Sequence, residues 1–186
     1  MPKLLENVRA DLLLEARRQL AERGYSKMTI RSVAEACGVA VGTVYNYFPS
    51  KEMLVATFVA ESWRDCFSGV ETAAPENAEA YLRGLYDALT AFMKRYGALF
   101  ADAEAEKAFT AVFPARHRML REQLAALAAP VCGDGSGAAD FPARFVAEAL
   151  LTWAVEDVPF ETLWPLLAAA LATNYSCSEE RNHEQL

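Results

Sequence analysis

The stretch GYSKMTIRSVAEACGVAVGTVYNYFPSKEML, residues 24–54, breaks into two short helices around a glycine turn, followed by the start of another helix. Thr29 stands where it caps a helix over Ile30–Cys37, since a threonine ahead of an apolar-periodic run accepts a hydrogen bond from a free N–H at the helix start. Gly38 makes the turn, a second helix covers about Val41 to Tyr47, Phe48-Pro49 stops it, and Ser50 caps the next. The second short helix carries polar and aromatic groups where a core helix would carry Leu and Ile. That layout is a helix-turn-helix whose second helix lies in the major groove of DNA.

The residue types fit this task position by position. Ala34 is small where the two helices cross, and Val33, Val39 and Val44 point inwards as a small core. The outer side of the second helix keeps Val41, Gly42, Thr43, Tyr45, Asn46 and Tyr47. Gly42 permits close backbone approach. Thr43 and Tyr45 can bond phosphate oxygens, and Asn46 or Tyr47 can reach a base edge or a phosphate. Lys51, at the start of the following helix, adds a phosphate contact.

The residues Gly24-Tyr25, Thr29-Ile30, Val33-Ala34, Gly38-Val39, Gly42-Thr43-Val44-Tyr45, Tyr47-Phe48 and Ser50-Lys51-Glu52-x-Leu54 together resemble the DNA-binding domain of the TetR family of bacterial transcriptional regulators. The resemblance covers about the first 55 residues. It implies that Thr29 bonds a phosphate as well as capping its helix. It implies that Arg31 reaches a base, where a bidentate contact to guanine suits its guanidinium. Thr43, Tyr45, Tyr47 and Lys51 occupy the family's contact positions, and Ser32 and Asn46 complete the candidate set. Val41 departs from the polar residue some members use for base reading, so only a methyl contact with thymine is expected there.

Outside this stretch, the chain of 186 residues is 53% hydrophobic and 23% charged, which allows a buried core and argues against global disorder. Residues 1–51 carry eight basic and five acidic side chains, whereas residues 52–186 carry ten and twenty. The basic part coincides with the expected DNA reader, and the acidic part is repelled by phosphate. The four cysteines, Cys37, Cys66, Cys132 and Cys177, form no C-x-x-C pair and the two histidines are far apart, so no metal site is expected. Free thiols, together with no secretory signal and no spanning segment, give the expectation of a cytoplasmic protein that does not enter a membrane.

The remainder reads as helices throughout, with a linker from Glu71 to Asn77, a glycine-rich loop from Pro130 to Asp140 and a polar, frayed tail from Ser176. The expected fold class is all-α with about nine helices. A three-helix DNA-binding domain covers residues 1–51, and a larger helical domain for effector binding and dimerisation covers residues 52–186. The resemblance implies a small-molecule pocket in the larger domain, for which Trp63, Phe67, Phe92, Phe113, His117 and Trp153 are candidates. The final helix is apolar nearly all round and calls for cover by a second copy; Phe145, Leu163, Leu167, Ala170 and Leu171 are the candidate dimer residues. A twofold dimer predicts a palindromic operator with half-sites about 34 Å apart.

The function expected is a ligand-responsive homodimeric repressor on double-stranded operator DNA, released by a small-molecule effector, with no cofactor. The rival is an all-α enzyme or interaction module without specific DNA binding. For an enzyme the sequence offers no nucleophile–base pair, and CGDGSG at 132–137 lacks the lysine and strand of a phosphate loop.

Overall fold

The computed structural model describes residues 7–71, 77–109, 113–132 and 141–183, and the side chains of residues 7–70, 77–109, 118–132 and 141–172. The described residues form nine α-helices and no strand. They divide into two compact units: Met1–Arg64 with Arg95–Val112, and Asp65–Lys94 with Phe113–Leu186.

The first unit contains α1 (Val8–Arg23), α2 (Ile30–Cys37), α3 (Val41–Tyr47), the start of α4 (Lys51–Glu71), the end of α5 (Ala78–Phe100) and α6 (Ala103–Phe109). On α1 the stripe Val8, Leu12, Ala16 is buried at four-residue spacing. The outer face pairs Arg18 with Glu15 and Glu22, both at 2.6 Å. In α2 the Thr29 hydroxyl accepts from the Ser32 N–H at 3.0 Å, and the Ser32 hydroxyl accepts from the Thr29 N–H at 3.2 Å. This reciprocal cap satisfies two otherwise free donors.

At the other end of α2, Gly38 takes φ +69°. Its N–H bonds Glu35 O at 3.1 Å, and the Val39 N–H bonds Ala34 O at 3.0 Å, a Schellman closure that turns the chain into α3. Phe48, ahead of Pro49, is extended at φ −135°, which ends α3 as proline requires of its predecessor. Ser50 then caps α4 by accepting from the Met53 N–H at 3.2 Å. Under these elements Met28, Val33, Val44, Leu54, Val55 and Phe58 form one apolar core.

The second unit contains the rest of α4 and α5, then α7 (Phe113–Ala128), a 3₁₀ turn at Ala129–Val131, α8 (Phe141–Val155) and α9 (Phe160–His183). Helices α7 and α8 pack together, with Arg121 paired to Glu148 at 2.7 Å. The Tyr81 hydroxyl donates to Leu127 O at 2.8 Å. α8 closes on Asp157, which adopts φ +53°, as aspartate tolerates better than most residues.

α5 runs to Phe100 because Tyr96 and Leu99 continue its buried stripe past Phe92. One sequence expectation is corrected here. α9 does not fray at Ser176 but remains helical to His183, in a stretch with neither proline nor glycine to break it. The loop expected over residues 130–140 falls largely outside the described residues, as do the linker positions 72–76.

The Gly38 turn yields a stability prediction. A Cβ at Gly38 meets open space, so Gly38→Ala costs only the strain of the left-handed backbone. The urea midpoint should fall by the equivalent of about 1–2 kcal/mol, and Gly38→Asn should fall less.

Candidate nucleic-acid interface

α3 is seven residues long, and its two sides differ sharply. Val44 is fully buried and Phe48, just past its end, is 3% exposed. Tyr45 and Tyr47 are 50% and 46% exposed, Val41, Gly42 and Asn46 are also exposed, and Thr43 is half-buried. Helical spacing stacks Val41 under Tyr45, Gly42 under Asn46 and Thr43 under Tyr47. The aromatic rings are therefore not core residues: they stand on the surface, with their hydroxyls free of any role in packing α3. A Cβ added at Gly42 meets open space, so nothing in the protein itself requires glycine there.

α2 packs on α3 and contributes its first turn to the exposed surface. Thr29 and Arg31 are exposed. Ser32 is half-buried and committed to the cap of α2; its hydroxyl donates to Gln19 Oε1 at 2.6 Å. The Ser32 hydroxyl is thereby engaged within the protein, in the cap and in the bond to Gln19.

Lys51 has a more specific setting than an exposed phosphate contact. Its ammonium lies 3.8 Å from the Tyr25 ring centroid and donates to Tyr25 O at 2.6 Å. Burial lowers its pKa, while Glu104, Glu52 and Asp102 pull it back up. The Tyr25 ring is buried against Phe109, with centroids 5.7 Å apart, and its hydroxyl donates to Glu52 at 3.0 Å. Burial and the Glu52 carboxylate raise the Tyr25 pKa above its ordinary value. Sequence reading missed Glu52, Asp102 and Gln19. Asp102 caps α6, accepting from the Glu104 and Ala105 N–H groups at 2.9 Å, and it also accepts from Ser26 at 3.4 Å. Its partner lies 76 residues away, so no local pattern announces it. Gln19 was legible in principle, as a polar residue three places after Ala16 on an apolar stripe.

In the second unit, Phe67 and Phe92 are buried, and Trp63 is buried in the first. Trp153, on α8, is 42% exposed. The side chains of Phe113 and His117 lie outside the described residues. Leu163, Leu167 and Leu171 are buried within the single chain, at four-residue spacing. Ala170 is half-buried, whereas Phe145 is exposed and stacks on exposed Phe141, with centroids 6.3 Å apart. Among the described residues no helix is long and apolar enough to cross a membrane.

Residues 12–57 match the family model described as bacterial regulatory proteins, tetR family. The HTH-type transcriptional repressor AcnR of Corynebacterium efficiens is 33% identical over 81 residues, 44% of this chain and 42% of AcnR. The HTH-type transcriptional repressor KstR of Rhodococcus jostii is 33% identical over 84 residues, 45% of this chain and 40% of KstR. The chain thus matches less than half the length of either relative. The fold is similar to that of Salmonella enterica GusR, with a TM-score of 0.64 and 21% identity over 91% of this chain and 99% of GusR. It is also similar to that of BioQ, with a TM-score of 0.54 and 20% identity over 90% of this chain and 98% of BioQ.

The Tyr25 setting predicts an alkaline limb of stability. A phenol whose folded pKa is raised contributes stability that is fully present below its unfolded value, about 10, and is lost as pH rises from there towards the folded value. Tyr25→Phe keeps the ring face and the carbonyl that hold Lys51. Thermal unfolding between pH 8 and 11 should fall less steeply in Tyr25→Phe than in the parent; identical slopes would remove Tyr25 as the cause.

Proposed function

We propose that this chain is a DNA-binding transcriptional repressor that acts as a homodimer on a palindromic operator and is released by a small-molecule effector. The observation that carries the reading is α3, a short helix braced from behind by Val44 and Phe48 while Tyr45, Asn46 and Tyr47 stand uncovered. A helix held on one side and dressed with hydrogen-bonding groups on the other suits the major groove, about 12 Å wide. AcnR and KstR, similar over the N-terminal part, are named transcriptional repressors, which supports repression over activation.

The assignments follow from exposure. Thr29, Thr43, Tyr45, Tyr47 and Lys51 bond phosphates; Arg31 reads a base edge; Asn46 and Val41 lie within reach of the groove floor where Gly42 lets the backbone approach. Lys51 offers phosphate the ammonium hydrogens that Tyr25 O does not take. The second copy covers the outward side of α8, where Phe141, Phe145 and Trp153 are exposed, together with Leu166 of α9, which is 72% exposed. The effector binds in the second unit, with Phe67 and Phe92 as apolar wall. It releases DNA by preferring a state in which the two reading helices no longer match the groove spacing, and its leverage equals its differential affinity for the two states.

Two measurements test this reading. The probe is a duplex that the protein selects from a random-sequence library, compared with its scrambled counterpart. Arg31→Ala should relax preference at one base position by about 1–3 kcal/mol, while Lys51→Ala should weaken both duplexes alike and reduce the salt slope by about one. If no duplex is selected, the chain is not a sequence-specific DNA binder. For the dimer, Phe145→Glu should shift sedimentation to the monomer and weaken binding to the full palindrome more than to a half-site. A dimer that persists in Phe145→Glu would move the interface elsewhere.

A further inference from the structure

We propose that Gln19 is a positioning residue for the DNA-reading surface: through Ser32 it fixes the first turn of α2, and with it Thr29 and Arg31, against α1. The inference rests on the DNA-binding function proposed above and deepens it.

Gln19 is 1% exposed and sits on the stripe of α1 that otherwise buries Val8, Leu12 and Ala16. Both ends of its amide are directed. Its Nε2 donates to Glu15 Oε1 at 2.7 Å, and its Oε1 accepts from the Ser32 hydroxyl at 2.6 Å. Glu15 is in turn gripped by Arg18, at 2.9 Å from Nε and 2.6 Å from Nη2, which holds its carboxyl below the ordinary value. On the other side Ser32 accepts from the Thr29 N–H and closes the cap of α2. A continuous line of polar contacts therefore runs from the outer face of α1, through its core stripe, to the first turn of α2.

An apolar side chain at position 19 would fill this space without any desolvation cost. What an amide adds is direction. Apolar contacts tolerate sliding, whereas two short hydrogen bonds admit one arrangement. The cap alone orders α2 internally, since the Ser32 hydroxyl can also donate to Thr29 O, at 2.9 Å. Gln19 ties that turn to α1 by a directed hydrogen bond, 2.6 Å long. Arg31 immediately precedes Ser32, and bidentate reading of a base needs placement within about 0.5 Å. Gln19 thus serves the accuracy of reading and not the stability of the fold.

The test is Gln19→Met, which keeps the volume and removes both hydrogen bonds. With the selected duplex and its scrambled counterpart, the affinity ratio should fall about tenfold, as loss of one well-placed hydrogen bond allows. The salt slope should not change, and the thermal midpoint should stay or rise. In a Ser32→Ala background, Gln19→Met should cause no further loss of the ratio. In the DNA-free protein, Gln19→Met should speed hydrogen exchange at the Thr29 and Ser32 amides. The inference is overturned by an unchanged ratio, by an equal loss in the Ser32→Ala background, or by a ratio that falls only with the thermal midpoint. A parent protein that selects no duplex would sink the DNA-binding function instead; unchanged amide exchange would then still overturn the role of Gln19.

Discussion

A helix of seven residues cannot stand alone. Isolated helices below about 12–15 residues are marginal in water even with favourable sequences, and α3 contains glycine, threonine, two valines and two tyrosines, none of them a strong helix former. Its existence depends on being held: Val44 and Phe48 are buried beneath it, Gly38 delivers the chain at the required angle, and Pro49 ends it. The same requirement explains why the best-determined contacts of the first unit surround α3 and do not lie within it. α2 is capped at one end and closed at the other, α4 is capped by Ser50, and the α1–α2 loop is pinned by Tyr25. All the rigidity is supplied from outside, so the outward face of α3 is left without structural duties.

The electrostatics follow the same division. A basic N-terminal part and an acidic remainder set an orientation towards phosphate, but the individual cations are not simply displayed. Arg9 is paired with Glu61 at 3.1 Å, and Lys51 is drawn over a tyrosine ring beside three carboxylates. A lysine bound in this way has lost the rotamer freedom that an exposed one gives up on meeting a phosphate. In the proposed complex its internal contacts weaken its pull on DNA and at the same time supply part of the ordering in advance. Arg31, on a helix end fixed by a cap, combines the same pre-ordering with full exposure.

The bounds of α2 and α3 were legible to the residue because their signals are local: Thr29, Gly38 and Phe48-Pro49 act through backbone geometry within a few positions. The exposure of Tyr45 and Tyr47 was legible too, since valine at 44 takes the inward position between them. The contacts of Asp102 and Phe109 with the α1–α2 loop were not, because they join residues more than 70 positions apart and leave no periodic trace. Gln19 lay between these cases: its place on an apolar stripe was visible, but its partner on the next helix was not. Aromatic residues at helical spacing announce a stripe, and the stripe alone does not say whether it faces inwards.

α9 carries that last point furthest. Its lack of polar residues was read as one apolar surface awaiting a partner, and its leucines in fact divide. Leu163, Leu167 and Leu171 recur every fourth residue and are buried in the chain's own core, while Leu166 is left 72% exposed. At about 100° per residue, Leu166 lies roughly 100° round the helix from the middle of that stripe, on a separate face. The inner face is satisfied by folding; in the proposed dimer the outer one supplies apolar area to bury, as do Phe141, Phe145 and Trp153 of α8. Stability of the single chain and cohesion of a pair therefore draw on different side chains. In the proposed dimer, a substitution at Phe145 acts on the pair without opening the core, whereas one at Leu167 acts on the core first.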